Sequence, residues 1–274
     1  MLNKIMIVKC ATISLLILTA LSVTSVASST PPDMDKRIAI MIASYPDTLW
    51  KAENNKIFFR NGNAAVIIND GREKSHEQKL EHGDVTDSLE QIYPAGPCST
   101  HSGPNFEPGR IRSDALFKGM YGQTPSQVEA NLVSVRWFGQ ILRVNRINGA
   151  NKALERVHAE LQNYPQWRHF LTPSAGVFNW RKVAGQTNLS VHSFGVAVDI
   201  NPKFADYWRW RRRRSRSQAV SSPNRYPLEL IYIFEKHGFI WGGRWDHYDT
   251  MHFEYRPELL AIGKRARVGA CGIP

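Results

Sequence analysis

Hydrophobic and polar residues alternate along this chain with two different periods. From Met34 to Pro46, apolar residues recur at helical spacing up to a Tyr-Pro turn, which predicts a short amphipathic helix. Lys56 to Asn69 reads as a hairpin, with Ile57-Phe58-Phe59 and Ala64 to Ile68 flanking Asn61-Gly62-Asn63. Asp70 to Gly109 is polar and rich in Gly, Pro, Ser and His, so loops and short helices are expected there. Val128, Leu132, Val135 and Trp137 suggest a helix over Ser126 to Phe138, opened by Thr124-Pro125, and Leu154, Val157 and Leu161 suggest another over Asn151 to Gln162. Beyond Asn163-Tyr164-Pro165 the period shortens. Val196 to Ile200 and Met251 to Tyr255 read as strands, and Leu228 to His237 as a helix stopped by Gly238. This order suits an α+β fold, a small antiparallel sheet flanked by helices. There is no internal repeat.

The N-terminus follows a different logic. Lys4 and Lys9 precede an apolar run from Ala11 to Val23, and Ser25-Val26-Ala27 ends it with small residues at alternate positions. Charged start, apolar middle and small-x-small exit describe a secretory signal peptide over residues 1–27, cleaved near Ala27. An uncleaved anchor is the alternative, but the run is shorter than the ~20 residues that span a bilayer. Cys10 lies in this segment without a lipoprotein-type context. No other long apolar stretch follows, so no membrane span is expected in the mature chain, and an exported, periplasmic or extracellular location is.

With 42% hydrophobic and 22% charged residues, the composition is that of a globular protein and excludes a disordered one. Losing Lys4 and Lys9 lowers the formal charge from +11 by two, to +9. Arg209, Arg211, Arg212, Arg213, Arg214 and Arg216 concentrate positive charge before a Ser- and Pro-containing stretch ending at Pro223. A solvated insertion loop is the simpler reading of that run. A patch for anionic envelope polymers is the functional one, and nucleic acid is not an expected partner of an exported protein. Cys98 and Cys271 remain after processing and are either a bridge from the tail to the front half or two free thiols.

The chemistry concentrates in two segments. In Ser190-Val191-His192-Ser193-Phe194-Gly195-Val196-Ala197-Val198-Asp199, strand alternation places Ala197 and Asp199 on one face, and Gly195 permits the turn that returns His192 beside Asp199. Ala197 is small enough to leave room for an ion. In Asp249-Thr250-Met251-His252-Phe253-Glu254-Tyr255, His252 and Glu254 leave one face of a strand. Two imidazoles and a carboxylate form a zinc ligand set that leaves one position for water, and Asp249 lies close enough in sequence to act on that water as a base. Glu254 is read as a partner that orients an imidazole rather than as a fourth ligand. His247 could face the same site, though a solvated loop histidine is the simpler reading. His158-Ala159-Glu160 matches half of a zinc deaminase pattern but lacks the cysteine pair. His-Glu-x-x-His and Gly-x-Ser-x-Gly are both missing, which removes the commonest zinc protease and serine hydrolase patterns.

These two segments resemble the M15 family of zinc peptidases, which includes VanY-type D-alanyl-D-alanine carboxypeptidases and L-alanyl-D-glutamate endopeptidases. Ser190 to Asp199 matches Ser-x-His-x-x-Gly-x-Ala-x-Asp, and Asp249 to His252 matches the acidic-x-x-His element. The resemblance implies zinc (Zn2+) on His192, Asp199 and His252, Asp249 activating water, and an upstream arginine that holds substrate or the developing oxyanion. In Phe178-Asn179-Trp180-Arg181 that arginine is Arg181. Pro108 to Arg112, Phe234 to Gly243 and Glu254 to Leu259 also resemble an exported subgroup. The implied organisation is a front extension of unassigned role, 28–123, followed by an M15/hedgehog-like zinc peptidase domain, 124–274. Peptidoglycan stem peptides are the implied partners, and D-alanyl-D-alanine carboxypeptidase is the favoured activity. An L-alanyl-D-glutamate endopeptidase, a lysin aimed at other cells and a non-catalytic zinc-containing wall-binding module stay open.

Overall fold

A computed structural model of the protein describes residues 33–96, 103–211 and 224–266. Residues 1–27, for which a signal peptide is expected, lie outside the described residues, as do Cys98, Cys271 and most of the arginine run.

The chain begins with α1 (Met34–Ser44), whose Met34, Ile38 and Met41 are buried, and ends at a Tyr45-Pro46 turn. Strands β1 (Leu49–Glu53), β2 (Lys56–Phe59) and β3 (Val66–Ile67) form an antiparallel sheet in that order. The expected pairing of β2 with β3 is present, with Ile57 opposite Val66. The tighter hairpin is β1–β2, closed by Asn54 and Asn55 at φ 50° and 59°; asparagine tolerates this left-handed region better than most residues. Short helices α2 (His76–His82) and α3 (Val85–Glu90) follow, each opened by a reciprocal capping box, at Ser75/Gln78 and Asp84/Asp87. Next come α4 (Asp114–Tyr121) and α5 (Pro125–Glu129).

The helix expected over Ser126 to Phe138 is two elements. It stops at Glu129, and Leu132–Trp137 is a strand, β4, paired in full register with β5 (Gln140–Asn145). Val128, Leu132 and Val135 fit helical spacing, but Val133, Val135 and Trp137 fit a strand equally well. The turn settles the choice. Phe138 and Gly139 have φ 42° and 93°, positive at both central positions, which matches the twist of a two-residue hairpin.

Helix α6 (Ala150–Leu161) packs its Leu154, Val157 and Leu161 face against β4 and β5. After α7 (Arg168–Leu171) the chain forms the third sheet. Its strands are β6 (Ala197–Asp199), β7 (Phe239–Trp241) and β8 (His252–Tyr255), with β8 in the centre and all pairs antiparallel. Helix α8 (Leu228–Lys236) precedes β7 and α9 (Pro257–Arg265) follows β8. The result is a mixture of helices and small antiparallel sheets, an α+β fold with three sheets where one was expected.

All described residues fall within one compact unit. Helix α1 packs on α9, and the join is polar as well as apolar. Tyr45 donates to Glu258, Arg256 Nε lies 2.6 Å from Glu258 Oε1, and Arg256 Nη1 lies 3.1 Å from Glu254 Oε1 and 2.9 Å from the Gly109 carbonyl. Arg256, Glu254 and Glu258 are each about 1% exposed. Removing one partner of such a group strands charge in a poorly solvated place. Arg256→Met is therefore expected to cost about 3–5 kcal/mol of stability in a urea titration, and an unchanged midpoint would show that the network is not holding this join.

Candidate active site

Two neighbouring strands and one tight turn build the site. In the β6–β8 pairing, Asp199 lies directly opposite His252, so both side chains leave the same face. His192 belongs to a 3-10 turn, Val191–Phe194, that ends on Gly195 at φ 67°. A Cβ there would lie 2.5 Å from Leu132 Cδ2, so both conformation and space call for glycine. The β4–β5 hairpin braces this turn. Asn145 donates its backbone N–H to Gly195 O at 2.9 Å and its side-chain amide to Phe194 O at 3.0 Å.

His192, Asp199 and His252 converge, each offering one ligand-type atom within 4.8 Å of the others. Asp199 Oδ1 is 3.2 Å from His192 Nε2 and 3.0 Å from His252 Nδ1, and the two nitrogens are 3.2 Å apart. The other ring nitrogens are already committed. His192 Nδ1 is 2.7 Å from the Val177 carbonyl, which can only accept, so that nitrogen carries a hydrogen. His252 Nε2 is 3.1 Å from Glu254 Oε2, and the same argument applies to a carboxylate. In the neutral rings the inward nitrogens therefore present lone pairs to each other and to Asp199. Ligand atoms that converge this closely can share a proton or a metal ion, and the donor set, two imidazoles and a carboxylate, is one that fits zinc. Glu254 holds the outer nitrogen of His252, as its placement one strand repeat from the imidazole suggested.

The titration behaviour has the same origin. Burial disfavours charge on His252, but Asp199 and Glu254 outweigh it and raise its pKa to about 10; in the absence of a metal ion a proton takes the cation's place. Burial pushes the Asp199 carboxyl up, yet the imidazoles of His192 and His252 hold it well below the usual range.

Asp249 is positioned mainly by backbone. Its N–H donates to Gly242 O at 3.0 Å, its carbonyl accepts from His252 N at 3.2 Å, and Tyr207 bridges to it from the opposite side. A Cβ on Gly242 would lie 2.7 Å from the Asp249 carbonyl oxygen, so the close approach depends on that glycine. Asp249 Oδ1 is buried and has no hydrogen-bond partner among the described residues. Burial, with added repulsion from Asp199, raises its pKa to about 6, while His252, His192 and Arg110 partly oppose this. A carboxylate poised near neutrality and unengaged is suited to take and return a proton.

These groups line an open cleft whose empty space, counted out through its mouth into solvent, is about 550 Å³. Arg181 lines it, with an exposed side chain whose guanidinium makes one long bond, 3.5 Å, to the Lys182 carbonyl. Arg110 and Arg112 line it as well. Sequence reading noted their segment but did not bring it to the site, because nothing local in Pro108 to Arg112 signals contact with residues 80 positions later. Arg112 is buried and donates to the Leu189 carbonyl, beside the His192 turn. Of the arginine run, Arg209 is described. It donates to Ala184 O at the lip of the cleft and lies over the Trp208 ring at 5.1 Å.

No curated protein and no solved structure gives a significant match to this chain. Residues 184–255, which carry His192, Asp199, Asp249 and His252, match the family model described as D-alanyl-D-alanine carboxypeptidase, and this match supports the M15 peptidase family for that part of the chain.

Proposed function

We propose that the protein is an exported zinc metallopeptidase that hydrolyses a peptide bond in peptidoglycan stem peptides, removing a terminal D-alanine. One observation carries the reading: three inward-facing ligand atoms on His192, Asp199 and His252 with a buried, unpartnered carboxylate oxygen, Asp249 Oδ1, in the same arginine-lined cleft. A binding module with a purely structural ion has no use for such a carboxylate.

His192 Nε2, His252 Nδ1 and Asp199 would hold the zinc, which when bound supplies a Lewis acid and a water acidified toward a pKa of ~7. Asp249 takes the proton from the attacking water and delivers it to the leaving amine as the peptide bond breaks. Glu254 keeps the outer nitrogen of His252 protonated, which fixes the ring's orientation. Arg181 is the exposed cation beside the cluster. Its guanidinium can grip a carboxylate with two parallel bonds, or stabilise the oxyanion that forms at the attacked carbonyl. Residues 1–27 are assigned as a signal peptide that directs export and is then removed, 28–123 as a front extension and 124–274 as the peptidase domain. The Arg209 to Arg216 segment is read first as a solvated insertion loop and second as a patch for anionic envelope polymers.

The choice between terminal and internal cleavage follows from the substrate's end. A stem pentapeptide with a free C-terminal carboxylate should lose one alanine, while the same peptide ending in an amide should be cut far more slowly. Equal rates on both, or a cut after L-alanine, would make the protein an endopeptidase.

A further inference from the structure

A second cluster of metal-ligating side chains lies outside this site. His76 opens α2, Glu107 belongs to the turn before Pro108, and His247 lies two residues before Asp249. The fold brings their ligand-type atoms within 4.8 Å of one another. We propose that His76, Glu107 and His247 form a second zinc site, independent of the first, that ties the front of the chain to the loop carrying Asp249.

Glu107 is the centre of the argument. Its residue is wholly buried, an unusual setting for a carboxylate without full pairing. Oε1 meets His247 twice, through ring Nδ1 and through the backbone N–H at 3.1 Å, and lies 3.9 Å from His76 Nε2. Oε2 is turned toward Arg110 Nε at 3.5 Å, but neither atom has a hydrogen-bond partner among the described residues. His76 Nε2 is buried and equally unpartnered. Glu107 Oε1 and His76 Nε2, 3.9 Å apart, are too far for a hydrogen bond, and with Glu107 Oε2 also unpartnered the cluster has ligand atoms to spare for an ion. The two imidazole rings lie nearly parallel, 8° apart, with centroids separated by 6.3 Å, and the Trp208 ring holds His247 edge-on at 4.4 Å. Two imidazole nitrogens and one carboxylate oxygen select zinc over the oxygen-seeking calcium and magnesium, with solvent completing the coordination.

The surrounding bonds show what the ion would clamp. Asp246 N–H donates to Phe106 O at 2.9 Å, Asn105 N–H donates to Asp246 Oδ2 at 2.9 Å, and Trp208 N–H donates to Tyr248 O at 3.0 Å. The loop 246–249 is thus already docked on residues 105–107, and His76 adds α2 as a third element. The consequence for the position of Asp249 rests on its proposed role as base; the metal site itself does not.

Native mass spectrometry of the mature chain, loaded with zinc and desalted, tests the proposal. Wild type should hold two ions, His76→Ala one and His192→Ala one. A single ion in wild type, kept by His76→Ala and lost by His192→Ala, would overturn the second site and leave the first intact. Two ions retained by His76→Ala would also overturn it. If His76→Ala does not fold, His76→Gln serves in its place. A thermal melt gives a separate reading. In His192→Ala, added zinc should raise Tm, and the further change His76→Ala should abolish that rise; no zinc-dependent shift in His192→Ala would refute the site.

Discussion

Asp249→Asn is expected to lower kcat by about a hundred- to ten-thousand-fold, the usual contribution of a positioned acid–base group, with zinc content unchanged. The amide is close in size to the carboxylate and cannot accept the water's proton. Because Asp249 Oδ1 makes no hydrogen bond among the described residues, the substitution disrupts no partner. The wild-type pH profile should carry the same signature. A base works when deprotonated, so activity should be full at higher pH and be lost as pH falls through the pKa of this carboxyl, which burial and Asp199 raise to about 6 when no metal ion is bound. A cation among His192, Asp199 and His252 offsets the push from Asp199 and moves the limb to lower pH. Steady-state rates across pH, with metal measured on the same samples, check both statements. Activity retained by Asp249→Asn would assign the proton transfer to another group.

His192→Ala should remove the metal ion of its own cluster and activity together. Its Nε2 supplies one of three converging ligand atoms, and the two that remain, on Asp199 and His252, also meet each other at 3.0 Å. With one imidazole gone, the pair can close into an ordinary His–Asp ion pair and hold a proton instead of a metal ion, as the raised pKa of His252 indicates. Metal at the catalytic cluster is expected to fall below detection after desalting, and turnover with it. Normal metal content and normal activity in this variant would discard the ligand set. Unlike Asp249→Asn, which separates chemistry from metal binding, this change should affect both.

The contrast between what could be read ahead and what could not has a physical cause. Asp199, His252 and Glu254 were legible because strand alternation is local: two residues per repeat puts His252 and Glu254 on one face, and the pairing of β6 with β8 puts Asp199 opposite His252. His192 was legible through Gly195, whose φ of 67° marks the turn that brings the imidazole back. The β4–β5 hairpin reads as helix because Val128, Leu132 and Val135 satisfy both periods, and the turn at Phe138-Gly139 is what decides against it. Arg110, Arg112, Glu107 and His76 were not placed by sequence at all. They reach the cleft and its flank through tertiary packing of the front segments on β8 and on the loop 246–249, for which no short-range pattern exists. His247, for which sequence leaves open a solvated place or one facing the site, is held by Glu107 and Trp208.

The most direct measurement is mass spectrometry of stem pentapeptide and intact muropeptides after incubation with the mature protein, with and without a zinc chelator. Loss of one terminal alanine, stopped by the chelator and restored by zinc, is the predicted result. Bound zinc with every peptide left intact would contradict it and leave a wall-binding module in its place.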